Sequence, residues 1–282
     1  MRDDMAALMA QERCTADDLR RIVEVLRGPG GCPWDAVQTH ESIRKNFIEE
    51  TYEVIEAINK RDDALLCEEL GDVLLQVVMH AQMAQTFGWD EVTDGICRKL
   101  IERHPHVFGD VQVSGAGEVL SNWDAIKRRS KGQRTSGEAM DSVPRELPAL
   151  MRAAKIQQKA AKAGFDWDEA NGVRESLAKL EEEVAELRRA WMDGDPSAWA
   201  DELGDVLFSA VNASRFLHCD AEEALTAATD KFRRRFGRVE VLAAAAGLDM
   251  AKTPLSALDR LWEQAKAEEG CVGDSVAEIS AV

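Results

Sequence analysis

The chain repeats itself. Glu-Glu-Thr-Tyr-Glu at 49–53 returns as Glu-Glu-Val-Ala-Glu at 182–186, 133 residues on. Glu-Leu-Gly-Asp-Val-Leu-Leu at 69–75 returns at the same interval as Glu-Leu-Gly-Asp-Val-Leu-Phe at 202–208. Gly31, Trp34 and Asp35 meet Gly164, Trp167 and Asp168 in that register, and Lys99 and Arg103 meet Lys231 and Arg235 one residue short of it. Matches in one register make the chain two copies of one unit, so a fold that suits one copy must suit the other.

Within each copy the apolar residues recur with helical spacing. This predicts helices over about 3–27, 41–60, 63–87, 90–104 and 118–130, then about 148–163, 169–193, 196–218, 221–246 and 254–268. Asp195-Pro196 is an N-cap followed by proline at the first helical position, and Asp220 with Glu223 has capping-box spacing. No alternating strand pattern of useful length occurs, and aromatics are only 6% of the residues, so the expectation is an all-α protein of two tandem helical bundles. The first bundle is placed at 1–130 and the second at 148–268. The segment between them, 131–147, is polar, glycine-bearing and closed by Pro144 and Pro148, the character of a linker. The last residues, 269–282, read as a small, polar, disordered tail.

Charge narrows the partners. Lys plus Arg number 35 against 52 Asp plus Glu, a net −17, so the surface should repel a nucleic-acid backbone. No apolar run is long enough to span a membrane, and Met1-Arg2-Asp3-Asp4 lacks a signal-peptide pattern. The six cysteines include no C-x-x-C pair, which suits reduced thiols in a cytoplasmic chain.

The helix over 63–87 carries the most chemistry. On a wheel, Glu69, Asp72, Gln76 and His80 fall in one narrow wedge, and Leu70, Val73, Leu74, Leu75, Val77, Val78 and Met79 fill most of the rest. The second copy repeats the wedge as Glu202, Asp205, Ser209 and Asn212. The preceding helix projects Glu50 and Glu53 together, being three apart, and a short turn near Arg61-Asp62 makes the two helices antiparallel neighbours. Four carboxylates converging in this way repel one another unless a cation compensates, and hard oxygen ligands in a bundle suit Mg²⁺ or Mn²⁺. An isolated E-E-x-x-E is usually a solvated face; repetition of both motifs at fixed spacing, the second on a largely apolar helix, favours the metal site.

E-E-x-x-E followed by E-x-x-D resembles the all-α nucleoside triphosphate pyrophosphohydrolases. Gly-Cys-Pro-Trp-Asp at 31–35, Arg-His-Pro-His-Val-Phe at 103–108, Leu-Pro-Ala-Leu-Met-Arg-Ala at 147–153 and Gly-Phe-Asp-Trp at 164–167 are similar to the MazG branch in its long, tandem form. The resemblance covers about residues 15–268 and implies Mg²⁺-dependent cleavage of NTPs to NMP and pyrophosphate, by helical-bundle homodimers. Carried over residue by residue, it implies metal ligands Glu50, Glu53, Glu69 and Asp72, and Glu183, Glu186, Glu202 and Asp205. Glu49 and Glu182 are then candidates to orient or deprotonate the attacking water. Some relatives place a lysine four residues before the E-x-x-D glutamate; Leu65 and Ala198 stand there in this chain.

A triphosphate brings several negative charges into an acidic protein, which calls for cations beside the metal. Lys231 with Arg235, and Lys99 with Arg103, are pairs one helical turn apart and are taken as phosphate contacts. A tryptophan after a glycine-bearing turn more often anchors its loop in the core; stacking on a base is the alternative, with Trp167 as the candidate. His104 and His106 flank Pro105 and read as a turn. The second copy has Asn212 where the first has Met79, and it alone has Lys155 and Lys159, so it is expected to carry most of the activity. The expected function is hydrolysis of a broad range of nucleoside triphosphates. A narrower diphosphatase for dUTP, dCTP or phosphoribosyl-ATP, and a non-catalytic acidic interaction module, are the alternatives.

Overall fold

The computed structural model describes residue 6 and residues 8–279, and among these the chain is helical with no strand. It divides into two compact units, Met1–Lys127 and Arg128–Val282. Helix α1 spans Ala16–Arg27, α2 Pro33–Ala36, α3 Arg44–Lys60, α4 Asp63–Met83, α5 Trp89–Arg103, α6 Pro105–Phe108 and α7 Ala116–Ser130. Helix α8 spans Ser136–Asp141, α9 Ala149–Lys162, α10 Gly172–Asp193, α11 Pro196–Phe216, α12 Ala221–Ala245 and α13 Leu255–Ile279. The repeat register is visible in the helices: α1 and α9 begin 133 residues apart, and α4 and α11 both begin and end 133 apart.

Each unit is organised around one αα-hairpin, α3–α4 in the first and α10–α11 in the second, with α1 or α9 packed on its later helix. The hairpin turns are built alike. Arg61 and Gly194 each take a left-handed conformation (φ 54° and 68°), and Asp62 and Asp195 then cap the following helix through their side chains. The first unit buries Val23, Ile43, Val78 and Met79 together, with Leu19, Leu75, Met83 and Trp89 packed against them.

Three expectations need correction. The helix placed at 3–27 is interrupted instead: residues 6, 8 and 9 are helical, residues 10–15 are not, and a new helix starts at Ala16, where Thr15 and Asp18 close a capping box; residues 3–5 and 7 lie outside the described residues. The stretch 131–147 is not a free linker. It holds α8, buries Ala139 and Val143, and packs against α9 as part of the second unit. The tail placed at 269–282 begins inside α13, which runs to Ile279; residues 280–282 lie outside the described residues.

The hairpins bury part of their polar wedges. Gln76 and Ser209, in the polar wedges, are buried, whereas Leu70, Leu74, Leu203 and Leu207 are exposed. In a single chain the polar wedge therefore faces into its own unit, and part of the apolar flank is left uncovered.

Candidate functional site

Helix spacing brings the acidic groups to one level of each hairpin. In the first unit, oxygens of Glu50 on α3 and of Glu69 and Asp72 on α4 lie within 4.8 Å of one another. In the second, oxygens of Glu183 and Glu186 on α10 and of Glu202 on α11 do the same. Each quartet thus gives a triad, and the omitted member differs: Glu53 in the first copy, Asp205 in the second. Both omitted groups stay close enough to act on their neighbours' protonation.

Those effects are consistent. Glu50 is pushed above the ordinary glutamate range by loss of solvent first, then by the Asp72 charge and by hydrogen bonding with Glu53. Glu69 is raised by loss of solvent and by Glu53, Glu68 and Asp72. Glu202 is raised by loss of solvent and by Glu186, Asp205 and Glu183. Three carboxylate oxygens within one ion's reach form a donor set that suits a hard divalent cation, whose charge would offset their mutual repulsion.

The copies differ in how they manage that charge without a cation. In the second, Lys179 lies 2.8 Å from the Glu183 carboxylate and 3.0 Å from that of Glu182, and Arg189 lies 2.8 Å from Glu186. The hydrogen bond to Glu183 is the main reason the Lys179 ammonium is held above its usual pKa. The first copy has Asn46 and Glu56 at the positions of Lys179 and Arg189, so its triad lacks both cations.

The proposed water-orienting groups, Glu49 and Glu182, are both exposed beside their triads. Of the phosphate-binding candidates, Lys99 and Lys231 are exposed, and the two arginines are not idle. Arg103 stacks over Trp123 at 5.3 Å, with its Nε buried and unpaired. Arg235 pairs with Glu269 at 2.7 Å and lies 6.0 Å from the Trp262 ring centre. The arginine–tryptophan pairing recurs in both units, and sequence reading missed it. The signal was present: Trp123-Asp124-x-x-Lys127 and Trp262-Glu263-x-x-Lys266 match, but at an interval of 139, outside the register of the other repeats.

Trp167 lines a cavity of about 490 Å³ in the second unit, with Phe165, Phe208, Asp166, Asn212 and Arg215 among its other walls. Its ring packs on Phe216 with centres 5.9 Å apart. Trp34, its counterpart, is 60% exposed and anchors no core. Asn212 accepts hydrogen bonds from Arg215 Nε and Nη2 at 3.2 and 2.9 Å, and Arg215 forms a two-pronged pair with Asp166. The first unit instead ends its polar wedge in a histidine pair, His40 and His80, with Nδ1 atoms 2.7 Å apart. Loss of solvent, then the His40 charge, hold the His80 imidazole below its usual pKa. His104 rests edge-on against Trp123, with ring centres 4.9 Å apart.

Comparison with known proteins places these features in a family. The MazG nucleotide pyrophosphohydrolase domain matches twice, at residues 38–108 and 172–239, once over each hairpin. The nucleoside triphosphate pyrophosphohydrolase/pyrophosphatase MazG of Thermotoga maritima is 46% identical over 253 residues, covering 89% of this chain and 95% of that one. The nucleoside triphosphate pyrophosphohydrolase of Escherichia coli K12 is 43% identical over 258 residues, 90% of this chain and 97% of that one. The protein of the same name from Mycolicibacterium smegmatis is 34% identical over 194 residues, 61% of this chain and 59% of that one.

Proposed function

Because this chain belongs to the MazG nucleotide pyrophosphohydrolase family, we propose that it hydrolyses a broad range of nucleoside triphosphates to the monophosphate and pyrophosphate, using Mg²⁺ or Mn²⁺. The observation that carries this reading is the convergence, in both units, of three carboxylates from two helices within 4.8 Å. Glu183, Glu186 and Glu202, with Asp205 beside them, would hold the ion in the second copy; Glu50, Glu69 and Asp72, with Glu53, would hold it in the first. A divalent cation bound there supplies an acidified water and neutralises the phosphate oxygens.

The chain's own residues do the rest. Glu182 accepts a proton from the attacking water, and the Lys179 ammonium 3.0 Å away helps hold its carboxylate in place. Glu49 has the same place in the first copy. Lys231 and Arg235 meet the triphosphate in the second copy, and Lys99 and Arg103 in the first. Arg235 leaves Glu269 to do so, exchanging one anionic partner for another. Trp167 and Asn212 receive the nucleoside.

The apolar flank left exposed on each hairpin supports self-association as a homodimer, since Leu203 and Leu207 are only half covered among the described residues. The domains are taken as 1–130 and 148–268, with the intervening segment going with the second. Among the described residues no helix is long and apolar enough to cross a membrane, in keeping with a cytoplasmic enzyme.

The test is pyrophosphate release from a panel of nucleoside triphosphates with and without Mg²⁺. Release of monophosphate and pyrophosphate from several bases, abolished by chelation, is the expected result. Release of inorganic phosphate and a diphosphate would refute the assignment, as would turnover of a single base or metal-independent turnover.

A further inference from the structure

The cavity beside Asn212 carries more information than its position. At about 490 Å³ it lies in the size range of small-molecule sites. Its walls are mainly apolar, and its polar groups are Gln157 and a corner formed by Asp166, Asn212 and Arg215. Asn212 lies on the same stripe of α11 as Glu202 and Asp205, and seven residues of helical rise separate it from Asp205 by about 10 Å. A nucleoside whose phosphates meet the triad therefore has its base at this cavity.

The corner is polarised by its own wiring. A guanidinium only donates, so the two hydrogen bonds from Arg215 fix Asn212 with its carbonyl oxygen toward the arginine. What Asn212 has left to offer is its amide nitrogen, a donor with no partner among the described residues. Asp166 in turn spends its carboxylate on Arg215 Nη1 at 2.7 Å, on Arg215 Nη2, and on the Trp167 N–H at 3.0 Å. That leaves one Nη1 hydrogen of Arg215 as a second unspent donor. The hydrogen bonds from Arg215 hold the Asp166 carboxyl below its usual range, against the loss of solvent that would raise it. The acceptor at the cavity is Gln157: its amide nitrogen donates to the Phe208 carbonyl at 2.8 Å, and its buried carbonyl oxygen has no partner among the described residues.

We infer that the Asp166–Arg215–Asn212 clamp makes this cavity a selector for bases carrying an oxygen at purine C6 or pyrimidine C4 over those carrying an amine there. The inference rests on the pyrophosphohydrolase reading and deepens it: all bases enter, but unequally. An exocyclic oxygen can accept from both Asn212 and Arg215, and the ring N–H beside it in hypoxanthine, guanine or uracil suits the Gln157 oxygen. An exocyclic amine puts hydrogens against a guanidinium and an amide N–H, and leaves them unpaired. Asp166 and Arg215 are positioning residues here, acting through the orientation of Asn212. The first copy has Pro33, Gln82 and Met79 at the three positions and cannot build the clamp.

Inosine and adenosine triphosphates differ only at this edge of the purine, and uridine and cytidine triphosphates make the matching pyrimidine pair. The measurement is kcat/KM for all four in the full chain carrying Glu50→Gln and Glu53→Gln, so that turnover belongs to the second copy. The expected result is a preference of about tenfold for ITP over ATP and for UTP over CTP. Asn212→Asp, which swaps the free donor for an acceptor, should bring both ratios to one or below. Asp166→Asn, which loosens the arginine, should reduce them without a matching change in kcat for ITP. Damage to the fold lowers all four rates together and leaves the ratios standing, so a misfolded variant cannot mimic the effect. Ratios near one in the parent chain, or ratios unmoved by Asn212→Asp, would overturn the inference while leaving the pyrophosphohydrolase reading intact. Absence of turnover with every triphosphate would instead defeat that reading.

Discussion

The two copies share a hairpin and a triad and then treat the space beside it in opposite ways. In the second, Ala160, Asn212 and Arg215 border an open cavity. In the first, Met79 at the place of Asn212 is 5% exposed and part of the core, packed with Val23 and Leu75. Arg27, at the place of Ala160, spends its guanidinium on Gln82 and on the carbonyls of Asp35 and Gln38. One copy keeps the room and the other fills it. The charge balance diverges too, since only the second copy sets Lys179 and Arg189 against its carboxylates. A duplicated motif therefore need not mean a duplicated site: the carboxylates came through in both copies, and the cavity beside them in one.

The sharpest way to break this comparison is to neutralise each quartet in turn. Glu183→Gln with Glu186→Gln should lower pyrophosphate release by about 100-fold or more, as expected when a catalytic ion loses its ligands. Glu50→Gln with Glu53→Gln should lower it by less than about threefold. Equal losses, or a larger loss from the first-copy pair, would end the claim that the second copy carries most of the turnover.

Exchanging the residues at the head of the wedge gives the next largest effect. Asn212→Met should raise KM by about tenfold, the worth of one good hydrogen bond to substrate, with a smaller change in kcat. Met79→Asn should gain no activity and should cost about 2 kcal/mol of stability, because it buries an amide in an apolar cluster. Steady-state kinetics and denaturant unfolding read the two arms; a Met79→Asn chain of unchanged stability would mean that the first unit has room to spare after all.

The pH dependence separates the copies more gently. Glu50, Glu69 and Glu202 hold their protons more tightly folded than unfolded, because burial and neighbouring charge disfavour the carboxylate. Such groups favour the fold below the ordinary glutamate range and lose that contribution as pH rises through it and past the raised values. Read as the difference from a chain carrying Glu50→Gln, Glu69→Gln and Glu202→Gln, the metal-free thermal midpoint should accordingly fall with rising pH across that window, and Mg²⁺ should restore it on the alkaline side. Glu50→Gln with Glu69→Gln should flatten the slope more than Glu202→Gln, since two raised carboxyls are removed rather than one. A difference that rises with pH in the absence of metal would contradict the crowding.

The smallest effect lies in the hairpin turns. Arg61 and Gly194 occupy the same left-handed position, which costs a side chain about 1 kcal/mol and costs glycine nothing. Arg61→Gly should stabilise the first unit slightly and Gly194→Ala should destabilise the second by about 1 kcal/mol. Unfolding midpoints that move the other way would show that Arg61 earns its strained backbone through contacts of its side chain.

Several of these features could be read from residues alone, for a definite reason. The repeat, the all-α class and the grouping of Glu202 with Asp205 follow from spacing along one helix, and helix geometry converts spacing into direction without help from the rest of the chain. The turn at Arg61-Asp62 was legible for the same reason, and so was Thr15 with Asp18, although that capping box was passed over. What only the tertiary structure decided lies between elements. Asp166 and Arg215 stand 49 residues apart, and His40 and His80 stand 40 apart; no period in the sequence links either pair. Which three carboxylates of each quartet converge, and whether Met79 fills a core or Asn212 edges a cavity, depend on how helices pack. Packing is set by the volumes of all the neighbours at once, so one residue's type cannot announce it.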